Sequence, residues 1–168
     1  MKYGKYFLHL AAFLLALTIL VLPLPAQAQS AATIYADYEN EYLTAQDFPD
    51  KDLSYKVFSN VNLQSANLSN FKFIGANITK VDFTNANLHG ANFSDAFING
   101  STFKGADLTD ALFEYAVISK SEFDGADITG ADFTFATILD YKQKLKLCQN
   151  ASGTNTITGV DTDYSLGC

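Results

Sequence analysis

The chain has 168 residues, room for one ordinary domain, with 11 lysines, no arginine and 18 acidic residues. Its formal net charge is −7, and because Lys2 and Lys5 precede every acid, the chain beyond residue 28 carries 9 lysines against 18 acids. With no basic stripe and no guanidinium for phosphate and base contacts, nucleic-acid binding is disfavoured as a class, and an acidic surface repels anionic membranes.

Residues 1–28 read as a secretory signal peptide. Lys2 and Lys5 give a positive start, Tyr6 to Leu22 is almost unbroken apolar sequence, Pro23 and Pro25 end it, and Ala26-Gln27-Ala28 is a small-x-small cleavage site. The competing reading is an uncleaved anchor, but the apolar run is short for a span and a cleavage pattern follows at once. Residues 29–45 read as an N-terminal capping segment. Ile34, Tyr35, Tyr38 and Tyr42 recur at helical spacing with acids between them, which predicts a short amphipathic helix lidding whatever follows.

Residues 46–140 carry the dominant signal. A hydrophobic residue stands at every fifth position from Phe48 to Ile138, nineteen in succession. Neither a helix nor a half-buried strand has that period, so the segment is a repeat architecture. Two positions before each of these central residues, 11 of 19 sites are alanine. In extended chain, residues two apart point the same way, so both face a narrow interior. The remaining positions are Asn, Asp, Ser, Thr, Gly and Lys, suited to turns and water. Phe returns every ten residues, but Leu (68, 88, 108) and Ile (78, 98, 118, 138) each return every twenty. A coil of twenty residues with four sides stacks like on like, which favours a close-packed interior. Gln46, Lys51 and Lys56 break the inward pattern and predict an irregular first coil, with secure packing from about Val57. Phe71 is too large for its small site, so either the coil bulges there or Phe71 or Phe73 points elsewhere.

Residues 141–168 read as a helical and loop cap. Tyr141 to Cys148 suits a short basic helix held by Leu145 and Leu147, and the Asn150 to Asn155 and Thr158 to Thr162 stretches read as loops and turns. In an exported chain the even pair Cys148 and Cys168 reads as one disulfide, against the alternative of two buried thiols.

Ala66-Asn67-Leu68-Ser69-Asn70, Ala91-Asn92-Phe93-Ser94-Asp95, Ala106-Asp107-Leu108-Thr109-Asp110 and Ala126-Asp127-Ile128-Thr129-Gly130 match an A-[DN]-[LF]-x-x pattern. On these residues the chain resembles pentapeptide-repeat proteins. The resemblance implies an all-β fold, a right-handed quadrilateral β-helix, here with short helical caps. The leader and the tail from Leu147 to Cys168 further resemble the exported, thylakoid-lumenal members from cyanobacteria and chloroplasts. That implies a thylakoid-lumen or periplasmic location, a capping tail and paired cysteines.

Catalytic equipment is scarce. Beyond the leader, His89 is the sole histidine and should be a solvated turn residue. There is no Ser/His/Asp grouping and no His/Cys metal spacing, so no catalytic residue, metal or cofactor is assigned. Asp107 and Asp127 fall one coil apart and read as an exposed ladder rather than a calcium site, since calcium asks for six or more oxygens. Lys104 and Asp124 share another column and are expected to pair. The informative residues are apolar ones at outward positions: Phe97 with Val117, Tyr115 with Phe135 at the next corner, and Leu112 just before it. They mark either a protein-binding patch or a surface covered by the C-terminal segment through Tyr141, Leu145 or Leu147. The expected function is a non-enzymatic scaffold or assembly protein, monomeric, with a protein partner of unknown identity and no stable membrane insertion after signal cleavage. The alternative is a DNA-mimicking inhibitor of an enzyme such as gyrase, implied by family resemblance and the acidic charge.

Overall fold

The computed structural model describes residues 37–168. The expected signal peptide, residues 1–28, lies outside the described residues. Six short strands line one side of the molecule: β1 (Tyr38–Glu39), β2 (Val57–Ser59), β3 (Asn77–Thr79), β4 (Phe97–Asn99), β5 (Val117–Ser119) and β6 (Thr137–Ile138). They pair in chain order, all parallel, and each residue faces the one twenty later: Phe58 with Ile78, Ile78 with Ile98, Ile98 with Ile118. Single parallel bridges repeat the spacing on the other three sides, as in Asn67–Asn87–Asp107–Asp127 and Asn62–Asp82–Thr102–Glu122. The chain is therefore a parallel β-solenoid of about five turns with four faces.

Its corners have one cause. Every fifth residue from Tyr55 to Phe135 has a positive φ, between 50° and 71°. This left-handed conformation suits Gly, Asn and Asp, which hold most of these sites. On three faces the corner is closed twice. The amide of the small inward residue donates to the carbonyl of the preceding central residue, as Ala76 does to Phe73 at 3.0 Å. The outward Asx side chain accepts the amide two residues on, as Asn92 does from Ser94 at 2.8 Å and Asp82 from Thr84 at 2.9 Å. The face bearing β2–β6 is different, because its extended run is longer. There the amides of Val81 and Ser101 turn to hydroxyls of the coil above, Ser101 Oγ at 3.0 Å and Ser121 Oγ at 3.2 Å.

The interior is the stack of central residues. All from Phe48 to Phe133 are buried, and Ile138 is half-buried. Phe73, Phe93, Phe113 and Phe133 stack with ring centroids 4.8 Å, 5.0 Å and 4.8 Å apart. Phe83, Phe103 and Phe123 form a second column that meets the first edge-on, Phe73 to Phe83 at 6.2 Å and 81°. Each buried ring or aliphatic side chain is worth about 1.5–3 kcal/mol before entropy, and aromatic pairing adds about 0.5–1.5 kcal/mol.

The ends depart from the sequence-based expectation. No helix spans the described part of the entry segment: Tyr38 lies in β1 and stacks on Phe58 at 4.9 Å, followed by a 3₁₀ turn over Ala45–Asp47. Pairing with the next coil outweighs the helical spacing of the tyrosines. Packing also begins earlier than expected, with Phe48 and Leu53 buried, while Gln46 and Lys51 turn out to solvent and Lys56 reaches Asp37 at 3.1 Å. Phe71 and Phe73 are both buried without a bulge, because the outward turn of Lys51 leaves room for the Phe71 ring against Phe48 at 5.9 Å. At the other end α1 (Tyr141–Asn150) is capped by Asp140, whose side chain accepts from the amides of Lys142 and Gln143. Leu147 is buried, but Leu145 is exposed and does not hold the helix as expected. A second helix, α2 (Thr162–Leu166), was not legible from composition; it buries Leu166. The tail is tied to the last coils by Asn155, whose amide donates to the carbonyls of Asp110 and Gly130, and by Ser165, which accepts from the Phe133 amide. Cys148 and Cys168 are joined, twenty residues apart.

Candidate interaction surface

The longer strands of β2–β6 explain why apolar side chains gather on their face. On the other faces, from Asp52 to Asp132, the outward residue before each centre is Asn or Asp at nine of thirteen positions, each accepting the amide two residues on, and Lys72, Thr102, Leu112 and Glu122 are the exceptions. On the strand face the same column is Val57, Asn77, Phe97, Val117 and Thr137, free to be apolar. Phe97 lies in register with Val117 and is 60% exposed. At the corner beside it, the rings of Tyr115 and Phe135 stack at 5.1 Å with an interplanar angle of 23° and remain 53% and 70% exposed.

Tyr115 and Phe135 are two of the bulkiest residues at the left-handed corners, each with φ of 57°. Bulky side chains are uncommon there and carry a strain of about 1–2 kcal/mol. Lower in the same column Tyr55 lays its ring over Gly75, where a Cβ would sit 2.7 Å from it, so a side chain at position 75 would push the exposed Tyr55 ring aside. Leu112 lies round the corner on the neighbouring face, bridged between Asn92 and Asp132 and half-buried.

The C-terminal segment does not cover this surface. Helix α1 lies against Phe123 to Ile128 through Lys146 and Leu147, leaving Tyr141 71% exposed. The sequence reading missed Leu139, 65% exposed, whose amide bonds Ile118 O at 2.9 Å and continues the Ser59–Thr79–Asn99–Ser119 column. Carrying the period of twenty one step past Ile138 finds it.

The residues weighed for chemistry are occupied structurally. His89 Nδ1 is 2.7 Å from Thr109 Oγ1 at the exposed surface. Asp107 and Asp127 are bridged as expected, and each carboxylate accepts from the amide and hydroxyl of the threonine two residues on. The hydroxyl of Thr129, followed by its amide, holds the Asp127 carboxyl below its ordinary value. Among the described residues no group of three His, Cys, Asp or Glu side chains comes together in a metal-binding arrangement. The expected Lys104–Asp124 pair is not the dominant one. Asp124 takes Lys146 of α1 at 2.7 Å, and Lys104 lies 4.0 Å from Glu122, because α1 brings a closer ammonium than the column does.

A family model for pentapeptide repeats matches eight copies, over residues 57–95, 72–105 and 106–138. The chain belongs to the pentapeptide-repeat family. This pentapeptide-repeat protein is 58% identical over 31 residues to the chloroplastic thylakoid lumenal protein TL20.3 of Arabidopsis thaliana, a match covering 18% of this chain and 11% of that relative. It thus spans about a tenth of that relative's length. A solved pentapeptide repeat protein from the Arabidopsis thaliana thylakoid lumen is 30% identical, with 79% of this chain and 88% of that one covered and a TM-score of 0.37. QnrB1, a plasmid-mediated fluoroquinolone resistance protein, is 15% identical, with 59% and 54% covered and a TM-score of 0.35. No helix among the described residues is long and apolar enough to cross a membrane.

Proposed function

We propose that this pentapeptide-repeat protein is a non-enzymatic docking scaffold of an exported compartment, the thylakoid lumen, and that it engages its partner through the face of β2–β6. One observation carries the reading. Tyr115 and Phe135 hold strained corner positions while most of their ring surface faces water, so folding alone gives little reason to keep them. The leader pattern of residues 1–28, the lumenal relatives and the joined Cys148–Cys168 pair support export, since disulfides persist in oxidising compartments. A periplasmic location fits the same leader and is the other outcome of cell fractionation. A photo-crosslinking side chain at position 97, with position 67 on another face as control, tests the face directly. Adducts formed in the native compartment at 97 and not at 67 are expected; equal labelling, or none, defeats the proposal.

A second reading has its own observation. Outside the strand face, the repeat carries 11 acids against 3 lysines. That acidity suits imitation of a polyanion and inhibition of a DNA-binding enzyme such as gyrase. Export separates the readings, because recovery of a processed chain outside the cytoplasm removes it from such an enzyme.

A further inference from the structure

We infer that the partner of the strand face is an anionic lipid surface, to which the solenoid attaches side-on without its backbone entering the bilayer. This rests on the reading of that face as the docking surface and names what docks there.

Shape is the first argument. Tyr115 and Phe135 project from a corner, and Phe97 stands on a flat sheet. The cleft beneath α1 and the cleft at Asn40, Asn60 and Lys80 are lined by none of the three. Protein hot spots are buried in complementary pockets, whereas protruding rings suit a lipid headgroup boundary, where the Tyr115 hydroxyl can stay at the polar level while the Phe97 and Phe135 rings insert as apolar surface.

Size is the second. Five coils at about 4.8 Å by one short side of roughly 10–15 Å give a face of about 300 Å². That is well below the ~800 Å² per partner of a standard protein interface, so a second copy laid on this face alone would not be held stably. A bilayer surface sets no such threshold, because attachment there scales with the apolar area inserted and the charge facing the lipid.

Charge is the third. The face of β2–β6 and its two corners contain Lys56, Lys80 and Lys120 against Asp95 and Asp140, with Lys56 taken by Asp37 and with Glu39 on β1 at the end of the sheet, so this face is close to neutral while the remaining faces of the repeat are strongly acidic. Lys80 and Lys120 are exposed at one corner column, on either side of Gly100, and neither has a carboxylate within 4.0 Å among the described residues. Acids on the opposite face stand about 10 Å behind, beyond the ~8 Å Debye length at physiological salt, while Asp82, Glu114 and Glu122 lie on the adjoining faces, so attachment requires that the strand face and not its neighbours meet the lipid.

The test is flotation of the full chain, purified after export, with vesicles of phosphatidylcholine alone or mixed with phosphatidylglycerol. The variant is Phe97→Asn, Tyr115→Asn, Phe135→Asn. It copies Asn77, the register neighbour of Phe97, and places a residue that accepts left-handed φ at both corners, so the fold is kept. Flotation with the mixed vesicles is expected, weakened by salt, and the triple variant should bind at least about tenfold less. Lys80→Gln with Lys120→Gln should weaken binding to the mixed vesicles and leave any residual binding to phosphatidylcholine unchanged. Equal flotation of wild type and triple variant, which would place binding elsewhere on the chain, overturns the inference. So does no flotation at all. In that case loss of the crosslink at position 97 defeats the docking face as well, whereas a crosslinked protein there keeps the face and replaces the lipid with a protein partner.

Discussion

Ser101 and Ser121 hold interior sites in a column that carries Val61 and Val81 in the coils below and alanine in none, and the reason is a missing turn bond. At the corner after the strand face the backbone does not close on itself, so an amide in each coil needs a partner from the coil above. Ser101→Ala leaves the buried Val81 N–H unpaired and should cost about 1–3 kcal/mol. Val81→Ser should offer the same hydroxyl to Val61 and offset part of the loss of a buried methyl. Thermal melts of the two variants check the pair: equal destabilisation by both would contradict the hydroxyl ladder. At the strained corner, Phe135→Asn relieves the left-handed conformation of a bulky residue at the expense of one exposed stack with Tyr115. It should raise stability by about 1 kcal/mol, a shift of a few degrees in Tm. A lower Tm would make the ring a structural element rather than a surface kept for binding.

Among the elements, α1 is held to the solenoid by the buried Leu147 and by one exposed ion pair, Lys146 with Asp124. The hydrogen bond from Lys146, and then its charge, hold the Asp124 carboxyl below its ordinary 3.8, and the same contact raises Lys146. A depressed folded pKa means that the stabilisation is complete above the unfolded carboxylate value and is lost as pH falls below 3.8 towards the folded one. Protection of the Tyr141–Asn150 amides, taken relative to their intrinsic exchange rates, should therefore fall between pH 5 and about pH 3, and Asp124→Asn should remove most of that pH dependence. Unchanged protection across this range would mean that Leu147 and the tail alone hold the helix. The pairing was not legible beforehand. Column arithmetic places Lys104 one coil below Asp124, but a helix outside the repeat supplies the nearer ammonium. The same limit explains the entry segment. Its tyrosine spacing is helical, yet Tyr38 finds a strand partner and an aromatic ring in the first coil, a tertiary preference that local spacing does not carry.

For the whole molecule, the period of five and the return of Leu and Ile at twenty were enough to read four faces, the register and the interior columns. They were not enough to separate the face whose turns lack Asx closure from the three that have it, because that difference lies in backbone conformation. Its trace in sequence is indirect: Phe97 and Val117 stand where other columns hold Asn and Asp. The stack itself makes a sharp prediction. Phe113 lies between the rings of Phe93 and Phe133 at 5.0 Å and 4.8 Å, fully buried. Phe113→Asp removes both contacts and places a carboxylate without a cation in the column. Losing the ring costs about 3–5 kcal/mol, and the buried charge adds to it, against a total domain stability of about 5–15 kcal/mol. Each coil touches only its neighbours, so the damage should be graded along the axis. Hydrogen exchange in the variant should rise most from Phe93 to Phe133, with the coils around Leu63 and Leu68 keeping more of their protection. A melting curve and exchange pattern like those of the wild type would mean that the aromatic columns do not hold the solenoid together.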